Sequence, residues 1–188
     1  KPPFFTSYYN GLYYHSFGYI TGIVLLVFGL EDAWLPTIGR LIALSGATIG
    51  AILCFKVLGY FTDPSKALPS RSSLILKSAV SIFIFYGPLV GFWAISINPE
   101  IWATVFTIFA VWAMLKWYDA FPLRAIAAAS VFSLLAWGFK QSYIFFPLAA
   151  GLFLLYRRNW SGLILLCIIH WGAWACTLYF GSDAYRSM

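Results

Sequence analysis

Lys140 lies in LLAWGFKQSYIFF, inside an apolar run that otherwise covers 125–156. An unpaired charge in hydrocarbon is costly, so an ammonium group there either meets a negative partner or stretches to the headgroup layer. The first reading implies a phosphate, and Gln141, Ser142 and Tyr143, which follow directly, would add hydrogen bonds to it. Glu100 follows Asn98 and Pro99. That order suits a helix start, with Asn98 as cap, Pro99 at the first helical position and the carboxylate near the positive end of the helix. A carboxylate at a membrane edge, facing the same side as Lys140, equally suits a sugar hydroxyl or a metal ion. His15, within YYNGLYYHSFGY, is a candidate metal or phosphate ligand set among tyrosines of the kind that anchor a chain at a membrane surface. Arg40, at the start of an apolar segment, could pair with a lipid phosphate or with Glu31 or Asp32. His170, Cys54, Cys167 and Cys176 fall inside apolar runs without metal-ligand spacing and are read as buried interior residues.

Composition decides what must hold these groups. The chain is 62% hydrophobic and 10% charged, with mean hydropathy +0.82, whereas a soluble domain is about a quarter charged. Several apolar runs approach the roughly 20 residues that cross a hydrocarbon core, and none alternates like a barrel strand. An all-α, polytopic transmembrane bundle is therefore expected, because only helices satisfy their own backbone in lipid. Residues 1–35 are an external or juxtamembrane segment, or a first helix. Membrane helices are expected at 36–61, 74–97, 101–118, 125–139, 143–156 and 163–180, all within one domain. In the 36–61 segment Gly46 and Gly50 lie four apart beside Ala43 and Ala47, a pattern for close helix packing. The net charge of +6 is spread singly or in pairs between apolar runs, so it reads as a topology signal and excludes a nucleic-acid patch. No hydrolase, P-loop, dinucleotide or zinc-ligand motif is present.

The run 125–156 is too long to be one membrane helix: about 48 Å against a core of roughly 30 Å. Two short arms, each about 21 Å, turning near 138–142 place Arg124 and the Arg157, Arg158 pair on one side, as the positive-inside rule prefers. Lys140 then marks the tip of a hairpin near the outer surface.

The stretches PPFFTSYYNGLYYHSFGYITGIVLLVFG, RLIALSGATIGAILCFKVLGYF, AISINPEIW and LLAWGFKQSYIFFPLAAGLFLLYRR, in that order, resemble the membrane core of the GT-C glycosyltransferases. The branch with protein O-mannosyltransferases and lipid A aminoarabinose transferases is most similar. The resemblance implies a GT-C-like core and transfer of a sugar from a polyprenyl-phosphate donor to a glycan, lipid or protein acceptor on the extracytoplasmic face. It further implies donor phosphate binding by Lys140, Arg40, Gln141 and Tyr143, and sugar or metal positioning by Glu100, Asn98 and His15. The family's aspartate beside a proline is matched imperfectly by Asn98-Pro99-Glu100. Its catalytic aspartate belongs to a loop ahead of residue 1, for which Glu31 and Asp32 come too late, so the chain is expected to be a fragment inactive alone. A divalent ion is the one cofactor candidate; membrane lipids are the other expected partners, and a bacterial inner or plasma membrane is expected rather than the endoplasmic reticulum. The rival reading is a polytopic transporter or lipid flippase subunit, whose substrate path Lys140 and Glu100 would line.

Overall fold

The computed structural model describes residues 11–62, 70–87, 99–140 and 142–180, except the side chains of 11–17, 99, 174, 177, 178 and 180. Within them the chain is helical throughout: α1 (Gly11–Phe28), α2 (Leu35–Thr62), α3 (Arg71–Tyr86), α4 (Pro99–Trp117), α5 (Pro122–Phe139), α6 (Phe145–Tyr156) and α7 (Trp160–Phe180). A single 3-10 turn, Asp32–Trp34, leads into α2. Three helices are long and apolar enough to cross a membrane: α2 with its leading turn, α4 from Glu100 onward, and α5. The outward faces of α2 and α5 carry Leu41, Ile49, Ile52 and Val131, as a lipid-facing surface would.

Local chemistry sets where the helices start and stop. Gly29 takes φ +61°, and the Leu30 N–H reaches back to the Leu25 carbonyl at 2.9 Å, a left-handed stop that suits glycine. Ser70 caps α3, its hydroxyl accepting from the Ser73 N–H at 3.1 Å. Pro99 opens α4 with Glu100 in its first turn. Pro122 opens α5 three residues ahead of the expected start, because proline's missing N–H costs nothing at the first helical position. The run 125–156 is interrupted at 140–144. Pro147, in the first turn of α6, has no N–H to bond the Tyr143 carbonyl that a continuous helix would require. The arms are unequal, 18 residues in α5 and 12 in α6.

The largest interface joins α4 to α5. Ala103, Ala110 and Ala113 face Ala129, Ser130, Ser133 and Ala136, all essentially without exposure, and such small side chains bring two helix axes close. The α2 small-residue strip packs in the same way: Ala43 and Ala47 are fully buried. A Cβ at Gly46 would meet Ile101 and Trp102, and one at Gly50 would overlap the Phe85 ring. One apolar cluster gathers Ala47, Leu53, Phe85, Ile101 and Val105 from α2, α3 and α4. A second gathers Ile126, Ala150, Leu154 and Leu166 from α5, α6 and α7. Cys54 is buried as expected, but Cys167 and Cys176 are exposed. The correction has a simple cause: a helix that is apolar on every side can turn a cysteine outward without cost in lipid.

Candidate functional site

The α4–α5 seam runs the two helices antiparallel, so the first turn of α4 lies beside the last residue of α5. Lys140 is the C-cap of α5, extended at φ −150°, with its N–H on the Ala136 carbonyl. From there its Nζ donates to Glu100 Oε1 as an ion pair. Glu100 is buried and the Lys140 side chain a quarter exposed, so the pair sits at the wall of the bundle. The turn closes when the Tyr143 N–H bonds the Lys140 carbonyl at 3.2 Å. This directs the Tyr143 ring back against Ala103 and Phe139.

Thr104, one turn beyond Glu100, ties the arrangement together. Its hydroxyl donates to the Glu100 carbonyl at 2.7 Å, which leaves the Tyr143 hydroxyl as donor in the 2.7 Å bond between Tyr143 and Thr104. The Tyr143 hydroxyl also lies 3.3 Å from the Glu100 carbonyl. Burial pushes the Lys140 ammonium below the ordinary lysine range. It pushes the Tyr143 phenol up. Glu100, Lys140 and Tyr143, with Thr107, Ser142 and Phe146, line an open cavity of about 430 Å³. Such a recess can exchange one anion for another at Lys140, because the cation that meets the Glu100 carboxylate remains partly reachable from outside.

Of the residues singled out in the sequence, Lys140, Glu100 and Tyr143 come together here. Arg40 is exposed on α2, does not line the cavity, and makes no ion pair with Glu31 or Asp32 among the described residues. Asn98 and Gln141 lie outside the described residues, as does the His15 side chain, although His15 belongs to α1. Among the described residues no three His, Cys, Asp or Glu side chains converge, and the carboxylate that lines the cavity, Glu100, is engaged by Lys140. Thr104 escaped sequence reasoning, yet its position four residues after Glu100 on one helix face was a legible signal. Lys77 was also missed. It is buried on α3, with Nζ 5.1 Å from the Phe55 ring centre.

A second, apolar groove of about 650 Å³ lies between α5, α6 and α7, bounded by Trp137, Ile144, Leu152, Leu155, Leu163 and His170. The expectation of a satisfied interior histidine is corrected here: His170 is half-buried, and among the described residues its Nε2 has no hydrogen-bond partner. A wall of leucines on the facing α6 offers it no acceptor or donor. No family model, curated protein or solved structure matches the chain.

Proposed function

We propose that this chain is the multi-pass membrane core of a glycosyltransferase that takes a sugar from a polyprenyl-phosphate donor on the extracytoplasmic face. The observation that carries this reading is the Lys140 and Glu100 pair, set in an open recess at a helix-hairpin tip, together with the sequence resemblance to the GT-C core. When the bond between the anomeric carbon and the phosphate oxygen breaks, charge accumulates on the leaving phosphate. A fixed cation at a poorly solvated wall then stabilises it more than the same cation in water. Lys140 fills that role by leaving Glu100 for the phosphate. The released carboxylate accepts from sugar hydroxyls, so it stays hydrogen-bonded while the cation is on the phosphate. Tyr143, its hydroxyl fixed by Thr104, sets the edge against which the donor rests. These residues account for the phosphate side of the transfer.

The test is transfer of radiolabelled sugar from polyprenyl-phosphate donors by membranes carrying the protein at matched expression. Lys140→Ala is expected to lower transfer by about 100-fold or more, the size of effect seen when one charge-stabilising donor is removed. Wild-type transfer with an unaffected Lys140→Ala variant would reduce the lysine to an anchor. A second reading, a transporter or lipid flippase, draws on Lys77, a further buried cation in another helix and the kind of group that marks a substrate path. It gains ground if no donor of a broad panel is used. In either reading, a cysteine at position 140 is expected to be labelled from outside and one at position 158 only from inside.

A further inference from the structure

The opposite end of the bundle is built from two turns, the one joining α4 to α5 and the one joining α6 to α7. They are locked together at Tyr118: its ring meets Phe153 edge-on at 5.1 Å, and its hydroxyl accepts from Asn159 Nδ2 at 3.2 Å. Asn159 in turn caps α7 by accepting from the Gly162 N–H at 2.9 Å. Around this node stand four exposed cations, Lys116, Arg124, Arg157 and Arg158. Three of them lie on aromatic faces: Lys116 Nζ 4.5 Å from the Trp112 ring centre, Arg124 Cζ 5.1 Å from that of Phe121, and Arg157 Cζ 5.8 Å from that of Tyr118.

Among the described residues none of the four is joined to an acid, although Asp119 sits in the same turn. Arg158 holds a backbone φ of +53°, a left-handed position after a helix end where glycine is the natural occupant. A side chain kept there against its backbone preference points to a use for the side chain. The second, independent observation is the apolar groove between α6 and α7. Its walls include Leu155, two residues before Arg157, and Leu163, four residues after Asn159, so the groove ends within a turn of chain from the arginine pair, which does not itself line it.

We propose that this groove and its cationic mouth hold an acidic phospholipid of the surrounding bilayer, one acyl chain in the groove and the phosphodiester on Arg157 and Arg158. The inference rests on the membrane reading of the chain and is independent of the glycosyl-transfer reading. An apolar tail and an anionic head match the two parts of the site in the order they occur. Lys116 and Arg124, seated on their rings, extend the positive field toward the headgroup layer; cations there attract anionic lipid.

The experiment is native mass spectrometry of the detergent-solubilised protein with phosphatidylglycerol or phosphatidylcholine of identical chains. Phosphatidylglycerol adducts are expected to dominate, with the preference falling about fivefold for each arginine removed. Arg158→Gly is the first variant, because it deletes the charge while relieving the left-handed backbone, so the fold survives. Arg157→Gln is the second. Gly151→Leu, which fills the groove without changing charge, is expected to lower retention of both lipids. Equal adducts of the two lipids in wild type, or an unchanged preference in both arginine variants, would overturn the proposal. So would displacement of bound lipid by glycerol 3-phosphate, which indicates a site for soluble phosphate, or by polyprenyl phosphate at equal concentration, which assigns the groove to a donor lipid.

Discussion

Both ends of the α5–α6 pair present cations, and the two ends treat them differently. At the 140–144 turn, Lys140 is neutralised by a buried carboxylate and its neighbours are fixed by hydroxyl hydrogen bonds. At the 157–159 turn, Arg157 and Arg158 are exposed, without acid partners among the described residues, and Arg157 is supported by an aromatic face. A partly buried charge must bring its counterion with it, since desolvation exceeds what water alone returns. An exposed charge needs none, and a ring beneath it merely fixes its direction. The first arrangement suits exchange of one anion for another; the second suits standing contact with a negative surface.

Substitutions at the two ends should separate these arrangements by size and sign. Lys140→Met leaves Glu100 buried without its cation and is expected to cost about 2 kcal/mol, below the 3–5 typical of fully buried pairs because Lys140 is partly exposed. Thermal unfolding in detergent would show it, and adding Glu100→Gln should recover most of the loss; no recovery would mean that the pair does not set the stability of this end. Asn159→Ala removes both the α7 cap and the bond to Tyr118, and about 1–2 kcal/mol should be lost. Tyr143→Phe deletes the hydroxyl held by Thr104, with an expected cost of about 1 kcal/mol in the same assay. Arg158→Gly should go the other way, raising the unfolding midpoint by an amount equivalent to less than about 1 kcal/mol. Arg157→Gln should change stability by under about 0.5 kcal/mol, as for an exposed surface charge; a larger loss would place it in the structural framework of its turn.

Particular residues show what was legible beforehand. Pro99 and Pro122 open helices, and Pro147 stops the long run from being one helix, because a missing N–H acts locally and can be read from the chain. Gly46, Gly50, Ala43 and Ala47 announced a packed face, since their spacing alone puts them on one side of α2. Lys77 was not legible: nothing in RSSLILKSAV shows which way the lysine faces until the packing of α3 on α2 is known. His170 and the outward cysteines failed for a related reason, because in a chain apolar all round, sequence periodicity does not distinguish a lipid-facing side from a buried one.

The sequence by itself determined that the chain is helical, where most helices break, and that a few charges would stand among apolar residues, because these follow from local backbone chemistry and composition. The tertiary structure alone decided which charges meet. Lys140 and Glu100 are forty residues apart, and they touch because an alanine and serine seam lets α4 and α5 run antiparallel at close range; no property of either residue's own segment encodes that contact.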